Sequence, residues 1–410
     1  MELKNIAIEA CLQAIKENMP KEAVKRALSA FECSFGKTML LAVGKAGWEM
    51  ASTAAEALKG KIDGGVVITK YGHSKGALEG IEIYEAAHPV VDFNGICATK
   101  RALEMTKNLS EGDTVLFLVS GGGSALFESP LCTLEQMQGI TSDLIRCGAS
   151  INEINAVRKH LSGVKGGRLA KHIAPARVFT VALSDVIGDD LSTIASGPTA
   201  PDNTTCDQCL EIIKKYNLCV SEGILNCLRQ ETPKTADNAT HIICGSVSEL
   251  CQSAKNYLCD SGFDATVVDD KVTCDVNEMK ERLERIYLEN KDKVGKKAFI
   301  FGGEITVNVR GNGKGGRNQH LALSCGDFLK GDKDSLVLCV GSDGTDGPTD
   351  AAGGFCDGTT WESIRKKGKD PRECLKNSDS YNALSLADSL IVTGPTGTNV
   401  NDLYILIIKR

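Results

Sequence analysis

Short apolar runs alternate with segments of helical periodicity in the first half of the chain. Apolar residues recur every three or four positions, as in an amphipathic helix, over 4–17, 21–32 and 47–58. Mostly apolar runs of strand length occupy 38–43, 65–69, 81–84, 114–119 and 178–183. Strands that alternate with helices indicate an α/β fold whose mainly parallel, doubly wound sheet is covered by helices on both faces.

A polar stretch at 230–238 interrupts this pattern, and a second alternating series follows it. Strands are predicted there at 241–244, 265–268, 298–301, 306–310, 336–340 and 403–408. A single core rarely exceeds roughly 250–300 residues, so 410 residues favour two domains. We predict a Rossmann-like domain at 1–235 and a second α/β domain at 240–410, with the active site in the cleft between them.

Composition narrows the class of protein. The chain is 42% hydrophobic and 24% charged, with a net charge of −6 and no basic stripe, which argues against a nucleic-acid partner. No apolar run approaches the ~18 residues of a membrane span. The first residues mix acidic and basic side chains and form no apolar signal core, which predicts a cytoplasmic protein.

The 17 cysteines are odd in number and irregular in spacing, and many lie inside apolar runs. They are therefore interpreted as reduced thiols. The single C-x-x-C, Cys206 to Cys209, has no second pair to complete a zinc site, and a metal or redox role is not predicted there.

In a parallel sheet, ligands bind beyond the carboxyl ends of the strands, so the loops after the apolar runs are the places to look. Lys45 lies between glycines just after the first run and can set its ammonium against a phosphate or carboxylate, although turn lysines are common. The segment Ser120, Gly121, Gly122, Gly123, Ser124 follows a later run and can turn several N–H groups toward one anion. Leu126 stands where a dinucleotide fingerprint needs its third glycine. Anion binding is favoured over a plain turn.

Two further segments of the first half carry charge. Residues 155–169 include Arg158, Lys165 and Arg168, and either bind phosphate or carboxylate or form a solvated helical face. Asp185 and Asp189 follow the strand at 178–183. Their carboxylates can hold Mg²⁺ or accept a hydroxyl proton, or one of the aspartates near this turn can cap a helix.

Two loops of the second half also carry candidate phosphate-binding and metal-binding groups. Lys314 and Arg317 lie among glycines at 310–317, an arrangement that suits a polyphosphate, and Arg317 can neutralise charge on a transferring phosphoryl group. Asp343 and Asp346 alternate with glycine and hydroxyl residues after the strand at 336–340. This favours a hard-cation site over a surface turn, although the glutamate that ends an EF-hand loop is missing.

Together these segments supply what phosphoryl transfer requires: cations and N–H groups around phosphates, a carboxylate-held Mg²⁺ and a base. The combination resembles the glycerate 2-kinase family, whose C-terminal part is the MOFRL domain. The resemblance rests on residues 43–47, 118–124, 155–169, 183–189, 303–304, 315–319 and 341–353. It implies transfer of the ATP γ-phosphate to the 2-hydroxyl of D-glycerate with a divalent metal.

The resemblance places Lys45 and Arg317 in the active site, and we add Asp185 as a catalytic candidate. Substrate or phosphate contacts are expected from residues 120–124, Arg158, Lys165, Arg168 and Lys314. Metal ligands are expected at Asp189, Asp343 and Asp346. The sequence leaves a homodimer open.

Two alternatives are weighed. An NAD(P)-dependent hydroxypyruvate reductase is disfavoured by the failed fingerprint at Gly121 and the basic loop at 310–317. A non-catalytic metabolite sensor on the same fold is disfavoured by the complete set of charged candidates.

Overall fold

The computed structural model describes residues 3–33 and 35–410, which form two compact units. The N-terminal unit comprises residues 23–184 and 189–244, and the C-terminal unit comprises 3–22, 185–188 and 245–410. The predicted α/β class with two units is confirmed. Three segments depart from the boundaries at 235 and 240: residues 3–22 and 185–188 belong to the C-terminal unit, and residues 240–244 belong to the N-terminal unit.

The sheet of the N-terminal unit has the strand order β3-β2-β1-β4-β5-β6. Pairing from β3 to β5 is parallel throughout, as predicted, and every residue of β1 and β4 is buried. The strands are β1 (Thr38–Val43), β2 (Gly64–Lys70), β3 (Ile81–Ala86), β4 (Thr114–Val119), β5 (Arg177–Leu183) and β6 (Ala239–Gly245). Val43 pairs with both Ile68 and Val119, so the loops after β1, β2 and β4 start at one level.

The strand predicted at 241–244 was assigned to the wrong domain. It is β6, the edge strand of the first sheet, and the N–H of Val178 donates to the carbonyl of Asn238 just before it. The polar stretch at 230–238 is therefore a surface connection that returns the chain to this sheet, because connections also favour polar residues.

Helices of the N-terminal unit cover the sheet and form a second apolar cluster among α6, α7, α9 and α10. A capping box formed by Thr133 and Gln136 stands at the start of α6. The helices are α2 (Pro20–Leu28), α3 (Gly47–Ala57), α4 (Phe93–Met105), α5 (Gly123–Leu126), α6 (Leu134–Arg146), α7 (Ile151–His160), α8 (Arg168–Ile173), α9 (Cys206–Lys215) and α10 (Glu222–Leu228), with a 3₁₀ turn at Ile194–Ser196.

The C-terminal sheet is mixed, with the order β11-β10-β9-β12-β8-β7. Strand β12 is antiparallel to both β8 and β9, and Asp402 at its start lies level with Gly303 and Gly341 at their ends. The strands are β7 (Asp264–Val272), β8 (Lys296–Gly303), β9 (Ser335–Gly341), β10 (Gly353–Asp357), β11 (Leu390–Ile391) and β12 (Asp402–Lys409). The loops after β8 and β9 and the segment before β12 therefore meet at one edge of the sheet.

The strand predicted at 306–310 is wrong. Only Thr306 forms an isolated bridge, to Asp275, and Val309 is 75% exposed. The chain leaves the sheet after Gly303 because its neighbour β12 begins at Asp402, so an alternating pattern there has no strand to pair with. The short, glycine-rich β10 and β11 were not predicted.

The C-terminal core lies between this sheet and helices α12 to α16. Its helices are α1 (Leu3–Glu17), α11 (Val247–Asp260), α12 (Val276–Asn290), α13 (Arg317–Leu329), α14 (Thr360–Lys366), α15 (Pro371–Lys376) and α16 (Ser380–Leu386). Within the described chain, no helix combines the length and apolar composition needed to cross a membrane.

Candidate active site

The carboxyl ends of β1 and β4 bring Lys45 beside the turn formed by residues 120–124, here called the Ser120 turn. The N–H of Lys45 donates to the carbonyl of Gly121 at 2.9 Å, and the N–H of Ala46 donates to Ser120 Oγ at 3.1 Å. The two loops that the sequence singled out separately are therefore one hydrogen-bonded structure.

Backbone amides of this turn are available to an anion. The N–H groups of Gly121 and Gly122 donate no hydrogen bond within residues 3–33 and 35–410. Gly122 has a φ of +87°, a left-handed conformation that glycine adopts at little cost. Adjacent unpaired N–H groups in such a turn form a concavity that attracts anions.

Cationic side chains surround the turn. Lys45 is exposed, and its ammonium has no ion-pair partner among the described residues. A Cβ added at Gly122 would lie 2.9 Å from His88 Cδ2, so the imidazole packs against the turn. Burial, together with the charges of Lys45, Lys70 and His73, lowers the pKa of His88. His88 is therefore neutral at pH 7, in a field that is positive overall.

Sequence reasoning missed Lys70, His73 and His88. The rule that ligands bind beyond the carboxyl ends of parallel strands, which pointed to Lys45, could have identified all three. Lys70 ends β2, His73 follows it and His88 follows β3. The carboxyl ends of β1, β2, β3 and β4 therefore all contribute to this site.

Arg158 supports the turn from helix α7. Its Nη2 donates to the carbonyl of Ser124 at 3.1 Å, and Ser124 Oγ lies 3.0 Å from Ser196 Oγ. Ala195 and Ser196 have φ values of 49° and 61°, a left-handed conformation that costs a residue with a side chain about 1–3 kcal/mol. Ser196, which sequence reasoning also missed, is fully buried in this strained segment.

Lys165 and Arg168 do not fit the predicted contact with substrate. Lys165 is fully buried, its Nζ donates to the carbonyl of Phe127 at 2.8 Å, and it pairs with the buried Glu128 at 3.5 Å. Burial lowers the pKa of Lys165 to about 8. Arg168 donates to the carbonyl of Ser162. Glycines 166 and 167 turn the chain inward after α7, so these two cations brace the backbone instead.

The aspartates after β5 separate into different environments. Asp189 has a φ of 56°, and its buried Oδ1 has no hydrogen-bond partner among the described residues. An orphaned carboxylate oxygen of this kind suits a hard cation. Asp190 instead accepts hydrogen bonds from Ser192 and Thr193 in the turn that follows it.

In the C-terminal unit, Arg317 begins helix α13 and is held by two carboxylates. Its Nε donates to Asp402 Oδ2 at 2.6 Å and its Nη2 to Asp402 Oδ1 at 3.2 Å, and Nη1 pairs with Glu304. Asp402 is buried, and burial raises its pKa although Arg317 opposes the shift. This fork fixes the guanidinium plane.

Asp402 and Glu304 were not predicted as site residues. Glu304 follows two glycines at the end of β8, and Asp402 begins β12 and is followed by six apolar residues. An acidic residue in a buried strand is a usable signal, because an isolated buried carboxylate is costly.

Asp346, predicted as a metal ligand, caps α13 instead. Its two oxygens accept the N–H groups of Asn318 and Gln319 at 3.1 and 2.8 Å, and burial raises its pKa to about 7. Asp343 is more accessible. Its Oδ1 accepts the N–H and hydroxyl of Thr345, and within the described ranges its Oδ2 has no partner.

The remaining candidates also lie in the C-terminal unit. The carbonyl of Asp185 accepts a hydrogen bond from Asn401 Nδ2 at 3.3 Å. The N–H of Lys314 donates to Asp379, and its exposed ammonium lies 4.2 Å from the centre of the Tyr381 ring. The buried Oδ1 atom of Asn401 has no hydrogen-bond partner within the described chain.

Comparison with known proteins gives matches over most of the chain. Residues 6–229 match a family described as a domain of unknown function, DUF4147, and residues 297–402 match the MOFRL family. A D-glycerate 2-kinase of Thermotoga maritima is 49% identical over 412 residues, which cover 99% of this chain and 98% of that protein. A putative hydroxypyruvate reductase of Agrobacterium vitis is 38% identical, with 96% of this chain and 92% of that protein covered.

A solved structure is similar throughout. The crystal structure of a glycerate kinase from Thermotoga maritima has a TM-score of 0.94 and 48% identity to this chain, and the match covers 99% of each. At this identity and coverage, the likeness extends over both units.

Proposed function

Since the chain belongs to the glycerate 2-kinase family and is a kinase of that family, we propose that it transfers the γ-phosphate of ATP to the 2-hydroxyl of D-glycerate. The observation that carries the proposal is the unpaired Lys45 ammonium beside the free amides of Gly121 and Gly122. Both reactants are anions, and a phosphoryl-transfer site needs such groups in place before the substrates arrive.

In the N-terminal unit, Lys45 and the two amides bind a carboxylate or phosphate. Arg158 holds the turn through the carbonyl of Ser124, and neutral His88 closes one side of it. The turn amides are held in place by the backbone, so little reorganisation of these donors is needed when negative charge accumulates in the transition state.

In the C-terminal unit, Arg317 balances the charge of the phosphoryl group in transfer. Asp402 and Glu304 hold its guanidinium in one orientation, which reduces the entropy lost on each substrate contact. Lys314, exposed on the same glycine-rich loop, adds a second cation. Asp185 accepts the proton of the substrate hydroxyl.

Kinases of small molecules use Mg²⁺ with ATP, and the oxygen donors here fit that ion. Asp189 in one unit and Asp343 in the other each present a carboxylate oxygen with no partner in the described chain. Bound Mg²⁺ neutralises charge on phosphate oxygens.

A reductase acting on hydroxypyruvate is the second candidate, because the Agrobacterium vitis relative carries that name. Against it, the turn after β4 lacks the third glycine of a dinucleotide site. Leu126 occupies that position and is fully buried.

Phosphorus NMR of purified protein with D-glycerate and MgATP tests the proposal. A new resonance for a phosphate ester on the 2-hydroxyl, with ADP formed in equal amount, is expected. A 3-phosphate ester would refute the regiochemistry, and absence of any ester would refute the substrate. NADH oxidation with hydroxypyruvate, measured in parallel, would instead support the reductase.

A further inference from the structure

Three potential metal ligands meet in the N-terminal unit, and none of them is among the groups assigned to phosphoryl transfer. His160 ends helix α7, Cys206 begins helix α9, and Glu231 lies in the connection after α10. Their ligating atoms, an imidazole nitrogen, the thiol sulfur and a carboxylate oxygen, all lie within 4.8 Å of one another.

The two ring nitrogens of His160 have different surroundings. Nδ1 lies 3.0 Å from the carbonyl of Ala156 and 3.2 Å from Cys209 Sγ, and the carbonyl, which can only accept, favours a proton on Nδ1. Nε2 therefore presents a lone pair, and this fully buried atom has no hydrogen-bond partner in the described chain.

An imidazole whose Nδ1 donates to a backbone carbonyl while Nε2 stays free is the arrangement found at metal sites. In a site without metal it is unfavourable, because the buried acceptor loses its hydrogen bonds to water and gains no donor in exchange.

The other two ligands face the same point. The N–H of Cys206 donates to Glu231 Oε1 at 3.0 Å, and Glu231 Oε2 lies 4.0 Å from His160 Nε2. Lys234 also reaches Oε2, at 2.8 Å. The side chain of Glu231 is 49% exposed, which gives an ion a path from solvent.

A redox role for the Cys206 and Cys209 pair fits less well. Burial raises the pKa of Cys209 to about 12, and burial with the Glu231 hydrogen bond raises that of Cys206 to about 11. Redox-active C-x-x-C thiols have lowered values instead. Cys209 Sγ lies 3.2 Å from His160 Nδ1, the nitrogen that points away from the cluster.

We propose that His160 Nε2, Cys206 Sγ and Glu231 bind a divalent transition-metal ion of the zinc class, with water as the fourth ligand. Zinc bonds of about 2.0–2.3 Å require the three atoms to close by only a few tenths of an ångström to about 1 Å. The Cys206 thiol gives its proton to solvent, so a thiolate and a carboxylate balance the two charges of the ion. Lys234 turns away and keeps its bonds to Thr204 and Thr232.

The ion would join the end of α7, the start of α9 and the connection that leads to β6. Helix α7 also carries Arg158, which holds the Ser120 turn through the carbonyl of Ser124. The proposed site is therefore structural and does not depend on the identity of the kinase substrate.

Cobalt binding to the full-length chain, after removal of metals with a chelator, tests the site. The wild type should bind one Co²⁺ tightly with a thiolate-to-cobalt charge-transfer band in the near ultraviolet, and Zn²⁺ should displace it. Cys206→Ser should abolish the band, and Glu231→Gln should weaken binding by at least about tenfold, as for a lost group at a metal site.

Cys219→Ser is the matched control, because Cys219 is an exposed cysteine of the same unit and lies outside the cluster. It should bind Co²⁺ like the wild type. Absence of the band in the wild type, or its persistence in Cys206→Ser, would overturn the proposal. Cys206 and Glu231 are partly exposed, so both variants should fold, which circular dichroism checks.

Discussion

Single residues of one motif have different roles here, although their chemistry is the same. The segment 155–169 holds three cations discussed above, Arg158, Lys165 and Arg168. Of these, Arg158 contacts the Ser120 turn, through the carbonyl of Ser124. Lys165 is withdrawn into a buried pair with Glu128 because the chain turns inward at two glycines. The sequence supplied the charges, whereas the contacts of each side chain depend on the tertiary structure around it.

Loss of either proposed charge stabiliser should reduce turnover. Lys45→Ala and Arg317→Ala are each expected to lower kcat about 10²–10⁴-fold, because each removes a fixed positive charge from the transition state. Lys61→Ala, the loss of another exposed lysine of the N-terminal unit, is the control and should leave kcat unchanged. Steady-state kinetics with D-glycerate and MgATP provides the measurement. Turnover close to wild type in both variants would remove these residues from the mechanism.

Asp346 should make stability fall as pH rises toward neutrality. Its folded pKa, raised to about 7 by burial, exceeds the usual value, so the folded state binds the proton more tightly than the unfolded state. The resulting stability is present in acid and lost as pH rises through 7. Relative to Asp346→Asn, the wild-type free energy of unfolding should fall by roughly 1.4 kcal/mol per pH unit between 5 and 7.

Urea unfolding at pH 5, 6 and 7 measures this difference. Asp264→Asn, at an exposed aspartate of the same unit, should run parallel to the wild type. A pH-independent difference between wild type and Asp346→Asn would show that Asp346 is ionised throughout.

At the scale of elements, the glycine-rich loop before α13 is a packing requirement as well as a source of N–H groups. A Cβ at Gly316 would lie 2.2 Å from Asp346 Oδ1, and one at Gly315 would lie 2.1 Å from Ser380 Oγ. The loop is thus pressed between the Asp346 cap and the start of α16. This close approach sets the position of Arg317 at the first turn of α13.

Gly316→Ala should therefore destabilise the protein by about 1–3 kcal/mol, as overpacking does, and should also lower kcat by displacing the Asp346 cap beside Arg317. Gly139→Ala is the matched control. Gly139 lies inside α6 with no atom within 4 Å of the added Cβ, so this change should stabilise by about 0.5–1 kcal/mol. Thermal unfolding and kcat, measured on both, give the comparison. Equal melting temperatures for the two would contradict the argument.

Strands were predictable where an apolar run had a neighbour on each side. β1, β4, β9 and β12 are almost wholly buried and were located from their composition. The alternating residues 306–310 failed because strand pairing requires a partner, which no local pattern records. Strand β10 was missed because its glycines do not form an apolar run. They are needed for close approach to β9, since a Cβ at Gly353 would lie 2.0 Å from the carbonyl of Cys339.

At the scale of the whole molecule, the two units are not two consecutive halves of the chain. Helix α1 packs on α11 of the C-terminal unit with Ala7, Ala10 and Ala14 fully buried, and Tyr257 on α11 donates to Glu9. Thr398 also donates to the carbonyl of Asn18. The C-terminal unit therefore needs the start of the chain, although more than 200 residues separate them.

Ala10→Glu should thus destabilise the C-terminal unit, because it buries an unpaired charge. Hydrogen exchange followed by mass spectrometry should show lost protection in α11 and β12 and little change in β1 and β4. Ala27→Glu, the same change at a buried position of α2, is the control and should act on the N-terminal unit. Exposure of β1 and β4 by Ala10→Glu would contradict the assignment of α1.

The sequence by itself determined the α/β class, most strands and the loops that carry Lys45, the Ser120 turn, Arg317 and Asp343, because apolar periodicity and glycine placement are local properties. It also carried the family resemblance, which the comparisons confirm. Tertiary structure alone decided what depends on contacts between distant residues. Those contacts pair Arg317 with Asp402, place Asp346 on a helix end, bury Lys165 against Glu128 and bring His160 to Cys206 and Glu231.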